Sequence, residues 1–488
     1  MNQAKNINIR RQATISFAGN LADTGISFVG LVTMAYVLGA GDLGRYYFIL
    51  AVIEVALFPA TGLSQAVLKR GSEESQNPAE IFGTGLALGL GYVAVVSVLF
   101  AAAVLSDFVA LRYSPDVVFT AIAVFVSQAV LLIQIDAYRS YGHTGYATLV
   151  DNVCGILQTF LQLFVLWMGF RIFGLLAVTV IAILVTVAGH YFVSVITISR
   201  PRMSAARSLI EYGRWSMVTA GVSKLYKRLP ELVLGYFGMN AAIGYYTSAD
   251  RLLMLGSYVS GSLGPALMAK TSSQGSGDTP AEMLGEFEQI HHHVTILAVA
   301  FAFGSFALAK PLMQTFFDMS DPMAITGLIG LSFYHIIQAL SGVEYSFFDG
   351  MDMPELGTKS ITLGLFVQIA LISVLFSQFD FIGVISAIVL ANFAMLLYAQ
   401  TIFWEEFGII PLPSGLITQM ISGVIMYVAV DLVADVTGIS TVFHLLAVVA
   451  FGAIIYITML VLVDTAFREL VRVSVRDMAA ILRGQSGS

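Results

Sequence analysis

The chain has 488 residues, of which 57% are apolar and only 11% are charged, whereas about 25% of an average soluble domain is charged. Each helix that crosses a bilayer needs about 20 apolar residues, so this composition excludes a large water-soluble domain and predicts an all-α polytopic membrane protein. The formal net charge of -7 offers no basic stripe, and we expect no nucleic-acid partner. The single cysteine, Cys154, allows neither an internal disulfide nor a cysteine-rich metal site.

The hydropathy pattern predicts about fourteen transmembrane helices. They lie near residues 14–38, 44–68, 81–105, 117–139, 146–168, 172–198, 212–237, 242–268, 292–317, 323–348, 358–378, 381–403, 414–435 and 440–463. With the N-terminus in the cytoplasm, most of the 24 lysines and arginines fall on cytoplasmic segments. The positive-inside rule therefore predicts a multi-pass protein of the cell (plasma or inner) membrane with both termini cytoplasmic.

Two short segments occur twice, about 200 residues apart. LGAGDLGRYY at 38–47 has a counterpart in FGMNAAIGYY at 237–246, and the sequence around Gly174 has one around Gly383. Six predicted helices separate the copies, so both halves have the same orientation. This pattern predicts two six-helix lobes with a cavity between them, as in alternating-access transporters.

The repeat predicts five regions. They are an N-terminal lobe at 1–198 with spans 1 to 6, a cytoplasmic linker at 199–211, a C-terminal lobe at 212–403 with spans 7 to 12, spans 13 and 14 at 404–463, and a cytoplasmic amphipathic tail at 464–488. In the tail, arginines recur every four residues from Arg468 to Arg476, which is typical of a helix lying on an anionic membrane surface.

These motifs resemble the multidrug/oligosaccharidyl-lipid/polysaccharide (MOP) flippase superfamily, and within it the polysaccharide transporters often called O-antigen flippases. The residues that carry the resemblance are Leu38-Gly39 with Gly44-x-Tyr46, Gly62-Leu63, Lys69-Arg70, Gly244-Tyr245-Tyr246, Ala249-x-Arg251, Gly264-Pro265, Gly174 and Gly383. The resemblance implies two pseudo-symmetric six-helix lobes plus two C-terminal helices. It also implies movement of a lipid-linked sugar from the cytoplasmic to the outer leaflet.

Three cations lie inside the seventh predicted span, at Lys224, Lys227 and Arg228. Each costs about 2.5 to 3.5 kcal/mol at the centre of a membrane helix, and their spacing places them on one helical face. We interpret them, with Arg251, as the binding site for an anionic lipid phosphate. The alternative is an ion-pair network with nearby acids such as Glu231.

Carboxylates inside membrane spans are candidates for ion coupling. Asp23 and Glu54 occupy the first two spans, and Glu231 lies beside the cations of the seventh. We predict that these three bind a coupling cation, either a proton or sodium. The alternative for Asp23 and Glu54 is an ordinary paired or hydrated group near a helix end.

The histidines at 291–293 point in three directions on one helix, so we expect no metal site there, and no cofactor. The leading hypothesis is a flippase that moves an oligosaccharide linked to a polyprenyl or dolichyl phosphate or diphosphate. We expect it to be a monomer and to contact membrane lipid. A peptidoglycan-precursor flippase and a cation-coupled drug exporter of the same fold are alternatives. A membrane glycosyltransferase or ligase is a rival of another class, but the loops are too short for its usual catalytic segment, so we expect no enzyme.

Overall fold

The computed structural model describes residues 9–105, 113–142, 144–193, 197–256, 280–351 and, with gaps at 352, 412, 414, 440, 466, 470 and 471, residues 353–472. All regular secondary structure in these residues is helical. The helices are α1 (Ile9–Ala56), α2 (Phe58–Gly71), α3 (Pro78–Leu105), α4 (Pro115–Ser140), α5 (Thr144–Trp167), α6 (Ile172–Val193), α7 (Met203–Tyr236), α8 (240–256), α9 (Pro280–Phe317), α10 (Pro322–Gly350), α11 (Pro354–Phe407), α12 (Leu416–Thr437) and α13 (Val442–Val463).

Ten helices in the described parts of the chain are long and apolar enough to cross a membrane. Two of these, α1 and α11, are broken by a residue with positive φ, Gly39 (70°) and Asp380 (46°), and each supplies two segments. Glycine adopts this backbone region without steric cost, and aspartate is one of the few other residues that enter it. With α7 and with α8, which is the described part of the eighth span, the helices account for at least part of each of the fourteen predicted spans.

Residues 1–244 form one compact unit. In it α1 packs against α5 and α7, α2 packs against α4 and α7, and α6 packs against α4 and α5. The contact between α2 and α7 is close because Gly62 faces the backbone of Met217, with no room for a side chain between them. The unit thus includes α7, whereas the repeat assigns that helix to the C-terminal lobe; the lobe boundaries stay a prediction.

Within this unit the two copies of the repeated motif meet through their glycines. A Cβ on Gly44 would overlap the backbone carbonyl of Asn240, and a Cβ on Gly244 would overlap the carbonyl of Ala40. Gly44 therefore packs on the residue four positions before Gly244, and Gly244 packs on the residue four positions before Gly44. The repeat also has a conformational basis, because Gly238 has a positive φ of 75°, close to the 70° of Gly39.

Residues 245–488 form the second compact unit. Here α9 packs against α10, α12 and α13, and α10 packs against α11. His292 on α9 lies 3.4 Å from Asp464, which follows α13, and both are almost fully buried. Gln419 on α12 donates a hydrogen bond to the backbone carbonyl of His292 at 3.0 Å. These contacts fix the start of the C-terminal segment to the helices of the unit.

Each unit contains an equivalent hydrogen bond from a tyrosine, which supports their pseudo-symmetry. In α4 and in α10 a tyrosine stands 23 residues after the proline that begins the helix. Tyr138 donates to the carbonyl of His190 on α6, and Tyr345 donates to the carbonyl of Met395 on the second segment of α11. The predicted Gly264-Pro265 motif, Lys270 and most of the tail at 464–488 lie outside the described residues.

We predict that Gly44→Ala destabilises the protein by about 1 to 3 kcal/mol, because the new methyl group forces α1 and α8 apart. Gly41→Ala, three residues earlier, is the matched control, since a Cβ at Gly41 meets nothing within 4 Å. It should leave stability unchanged or raise it by up to about 1 kcal/mol. Thermal unfolding of the purified proteins in detergent measures both. Equal melting temperatures would show that the glycine contact contributes nothing.

Candidate substrate and ion site

Arg228 on α7 is held by two carboxylates from different parts of the chain. Its Nε and Nη2 donate to the two carboxylate oxygens of Glu54 at 2.7 and 2.9 Å, and its Nη1 donates to Glu231 at 2.7 Å. Glu54 belongs to the second segment of α1, so the bidentate pair joins α1 to α7. Bidentate guanidinium–carboxylate pairs are among the strongest and most directional ion pairs in proteins.

Lys224 lies one turn before Arg228 and is half-buried. Among the described residues it forms no ion pair or hydrogen bond, although its ammonium is close enough to interact electrostatically with Glu54. Lys224, Arg228, Glu54 and Glu231 thus form a group of two cations and two carboxylates, which we call the charged quartet. Its formal charge is zero when all four groups are ionised.

The charged quartet borders a cavity of about 560 Å³ inside the first unit. Glu54 and Lys224 form part of its wall, and apolar residues of α1, α4 and α6 form much of the rest. The other polar side chains of the wall are Tyr46, Gln128, Asp151, Gln158, Thr179 and Thr186. The cavity therefore combines charge, amide and hydroxyl groups within a helical bundle.

Asp23 lies in the first segment of α1, next to this cavity. Its Oδ1 is buried without a hydrogen-bond partner among the described residues. A Cβ on Gly155, which is part of the cavity wall, would be 2.7 Å from that oxygen. The glycine leaves room for the carboxylate beside α5. An unpartnered buried carboxylate oxygen is costly unless it meets a proton or a cation.

Two residues that the sequence groups with this site are not members of the charged quartet. Lys227 is exposed, although it belongs to the same helix as Lys224. Arg251 belongs to the second unit, where Asp250 beside it contacts His335 on α10 at 3.1 Å. The structure thus brings Lys224, Arg228 and the predicted ion-coupling residues Glu54 and Glu231 together, with Asp23 near the same cavity. The assignment of all seven residues stays a prediction.

Sequence reasoning missed the polar wall of the cavity. Gln128, Gln158 and Thr179 are uncharged side chains within largely apolar spans. The available signal was the presence of amide groups in membrane helices, since such groups need an interior partner or water. Gln158 donates to the hydroxyl of Thr179 at 3.3 Å, which connects α5 to α6.

The three consecutive histidines have separate environments. His291 packs against the ring of Phe287 with their centroids 5.1 Å apart, whereas His292 faces Asp464. In the described part of the chain no three histidine, cysteine, aspartate or glutamate side chains are grouped as metal ligands would be.

The fold and the charged cavity define a polytopic helical membrane protein with a polar interior, the class that includes membrane transporters. The family model described as "Polysaccharide biosynthesis protein" matches residues 33–320, which is more than half of the chain. The chain belongs to this family.

Two curated relatives match nearly the full length. The chain is 23% identical to "Probable flippase AglR" of Haloferax volcanii, with 95% of this chain and 98% of the relative covered. It is 21% identical to "Probable low-salt glycan biosynthesis flippase Agl15" of the same organism, with 96% and 99% covered.

Solved structures show the same fold. The lipid II flippase MurJ in an inward closed conformation matches with a TM-score of 0.76 and 12% identity, covering 94% of this chain and 100% of that one. A multidrug resistance MATE family transporter of the MOP superfamily, in an inward-facing conformation, matches with a TM-score of 0.57 and 17% identity, covering 80% and 95%. The all-α fold class predicted from the sequence is confirmed, and the family match is to a polysaccharide biosynthesis family, as the resemblance implies.

We predict that Arg228→Gln destabilises the protein by about 3 to 5 kcal/mol, because it leaves the buried carboxylate of Glu231 without the guanidinium. The double variant Arg228→Gln/Glu231→Gln should recover part of that loss, since it removes the buried charge as well. Arg214→Gln is the control, because Arg214 is exposed on the same helix and should change stability by less than about 1 kcal/mol. Thermal unfolding in detergent tests the set. A double variant less stable than the single one would contradict the explanation.

Proposed function

We propose that this protein is a flippase that moves a lipid-linked oligosaccharide from the cytoplasmic to the outer leaflet of the cell membrane by alternating access. The lipid carrier is a polyprenyl or dolichyl phosphate or diphosphate, and the protein makes or breaks no covalent bond. The observation that carries this proposal is the near full-length match to two relatives that are both named as probable flippases. Membership of a polysaccharide biosynthesis family supports a glycan as the cargo.

The chemistry of the cavity supports the same substrate class. Amide and hydroxyl side chains such as Gln128, Gln158 and Thr179 can exchange hydrogen bonds with sugar hydroxyls. Lys224 offers an ammonium group to a phosphate, with the guanidinium of Arg228 one helical turn away. The proposed contributions of Lys227 and Arg251 rest on the sequence alone. A drug exporter of the same fold is less well supported, because both full-length relatives are named as probable flippases.

The charged quartet supports ion coupling. Because its formal charge is zero, a bound phosphate would leave excess negative charge in a low-dielectric region, where uncompensated charge is expensive. A proton or sodium ion bound at Glu54, Glu231 or Asp23 would restore the balance. By linkage, each ligand would then increase the affinity for the other. We therefore propose that cation and lipid phosphate bind to the same conformation.

The orientation is part of this proposal, with both termini in the cytoplasm. A cysteine replacing Ser114, between α3 and α4, should react with an impermeant reagent added to intact cells, and one replacing Ser75, between α2 and α3, should not. Cys154 is first replaced by alanine. Labelling at position 75 alone would reverse the orientation.

Reconstitution tests the function directly. Purified protein is incorporated into vesicles that contain a fluorescent lipid-linked oligosaccharide, and a membrane-impermeant quencher reports which leaflet holds the label. We expect the quenchable fraction to rise only in vesicles with protein, and mass spectrometry of the extracted lipid to show an unchanged covalent structure. No transfer between leaflets would refute the flippase. A new or broken glycosidic bond would favour the glycosyltransferase.

We predict that Lys224→Gln weakens binding of the lipid-linked phosphate about tenfold to hundredfold. A charge-assisted hydrogen bond contributes about 1.5 to 3 kcal/mol, and Lys224 is half-buried at the cavity wall. Lys227→Gln should have a smaller effect, since exposed charges contribute less than about 1 kcal/mol. Headgroup binding to the purified variants measures both. Unaltered affinity in Lys224→Gln would remove the lysine from the substrate site.

We predict that Asp23→Asn abolishes the response of flipping to an imposed proton or sodium gradient while the protein stays folded. The amide cannot be protonated and binds a cation weakly, so gradient energy could no longer act through this site. Asp116→Asn is the control, since Asp116 is exposed at the start of α4. Flipping rates in vesicles, with and without the gradient, decide the question. A wild-type response to the gradient in Asp23→Asn would exclude this residue from coupling.

A further inference from the structure

Glu344 in the second unit is a fully buried carboxyl group that is not part of the charged quartet and has no role in the proposed function so far. It lies on α10, and its exposed fraction is 0%. Its Oε1 accepts a hydrogen bond of 2.5 Å from the amide nitrogen of Gln400 on α11. Its Oε2 and the amide oxygen of Gln400 are both buried without a partner among the described residues.

The surroundings of Glu344 supply no compensating charge. In the described part of the chain, no lysine, arginine or histidine forms an ion pair with it. A cluster of buried aromatic rings that includes Phe287, Phe347 and Phe403 fills the space where α9, α10 and α11 meet. An ionised carboxylate in such a place costs far more than a protonated one.

Several titratable groups lie on the helices that pack around this carboxyl, and the lysines of α9 and α11, Lys310 and Lys359, are both exposed. On α9 there is His291, which is buried and interacts with the backbone of Leu340. On α11 there is Tyr398, and α10 itself carries Tyr345 and the half-buried Asp349. These groups provide no fixed positive charge at the carboxyl, so a proton is the simplest cation that makes Glu344 neutral.

The pairing with Gln400 suits a protonated carboxyl. A carboxylic acid has one acceptor oxygen and one hydroxyl donor, and an amide has the complementary donor and acceptor. With a proton on Oε2, the acid can donate to an acceptor while Oε1 accepts from the amide nitrogen. The ionised form has no hydrogen-bond donor, so it cannot donate to the amide oxygen of Gln400.

The shared scaffold of the two units does not require a carboxyl group here. The residue before Tyr345 in α10 is Glu344, and the residue before Tyr138 in α4 is Ala137, which is also buried. The fold thus accepts a small apolar residue at the corresponding position. Glu344 stands six residues before the end of α10, about 9 Å from that end along the helix axis.

We propose that Glu344, paired with Gln400, is an exchangeable proton-binding site that the transport cycle loads and empties. This rests on the proposed function, because the proton would be one of its coupling ions. It adds a site in the second unit to the carboxylates already proposed in the first.

Infrared difference spectroscopy of the full-length protein in vesicles tests proton binding without any substrate. Wild-type protein should show a protonated-carboxyl band that disappears as the pH is raised. Glu344→Gln should lack this band. Glu406→Gln, a control at an exposed site, should keep it. Gln400→Leu should keep the band and move its midpoint by at least about one pH unit, since it removes the hydrogen-bond partner. An unchanged midpoint, a band that survives in Glu344→Gln, or a band that never titrates would overturn the proposal.

Flipping measured at equal pH on both sides tests the role in transport. The wild-type flipping rate should fall as the pH rises, because the site can no longer be reloaded with a proton. Over the same pH range the flipping rate of Glu344→Gln should stay constant. A wild-type pH profile in a folded Glu344→Gln protein would overturn the proposal and leave the flippase intact. If the wild type moves no lipid-linked oligosaccharide at all, the proposed function fails, and the infrared titration still decides whether Glu344 exchanges a proton.

Discussion

A guanidinium group inside a membrane helix must be matched by negative charge, and the bond between Arg228 and Glu54 meets that requirement across two helices. Burying either partner alone would cost several kcal/mol, so each residue constrains the other. The pair joins α1 to α7 at the edge of the polar cavity, and Glu231 adds a second carboxylate from the same helix as the arginine. The position of α7, the composition of the cavity wall and the availability of Lys224 for a ligand all depend on this arrangement.

Close packing of helices at glycines is a second constraint on the first unit. The reciprocal contacts of Gly44 and Gly244, and the contact between Gly62 and Met217, bring helix backbones together without side chains between them. Contacts of this kind are common in membranes, where van der Waals packing replaces the hydrophobic effect as the force between helices. They also explain why the repeated motif is short and rich in glycine, since only the positions of closest approach are restricted.

The helices were predictable from the sequence because each bilayer crossing demands a long apolar run, and that demand overrides most local preferences. The breaks at Gly39 and Asp380 fall between predicted spans, which end at residues 38 and 378 and begin again at 44 and 381. The site was only partly predictable. The charges of α7 stand out, but the partner of Arg228 lies 174 residues earlier in the chain, and no local spacing indicates that contact. Glu344 gave the weakest signal, because its place near the end of a span is equally typical of a hydrated carboxylate.

The charge of a carboxyl group inside the helices is compensated differently in the two units. In the first unit Glu54 and Glu231 are both paired with the fixed cation of Arg228, and the charges balance only while no further anion is present. In the second unit no described lysine or arginine pairs with Glu344, and in our proposal its neutrality depends on a proton that can leave. A lipid phosphate that enters the first kind of site disturbs its balance, whereas a change of pH disturbs the second. If one conformational change exposes both sites, the charge of the cargo and the occupancy of the proton site must affect each other. That mutual dependence is the physical condition for coupled transport.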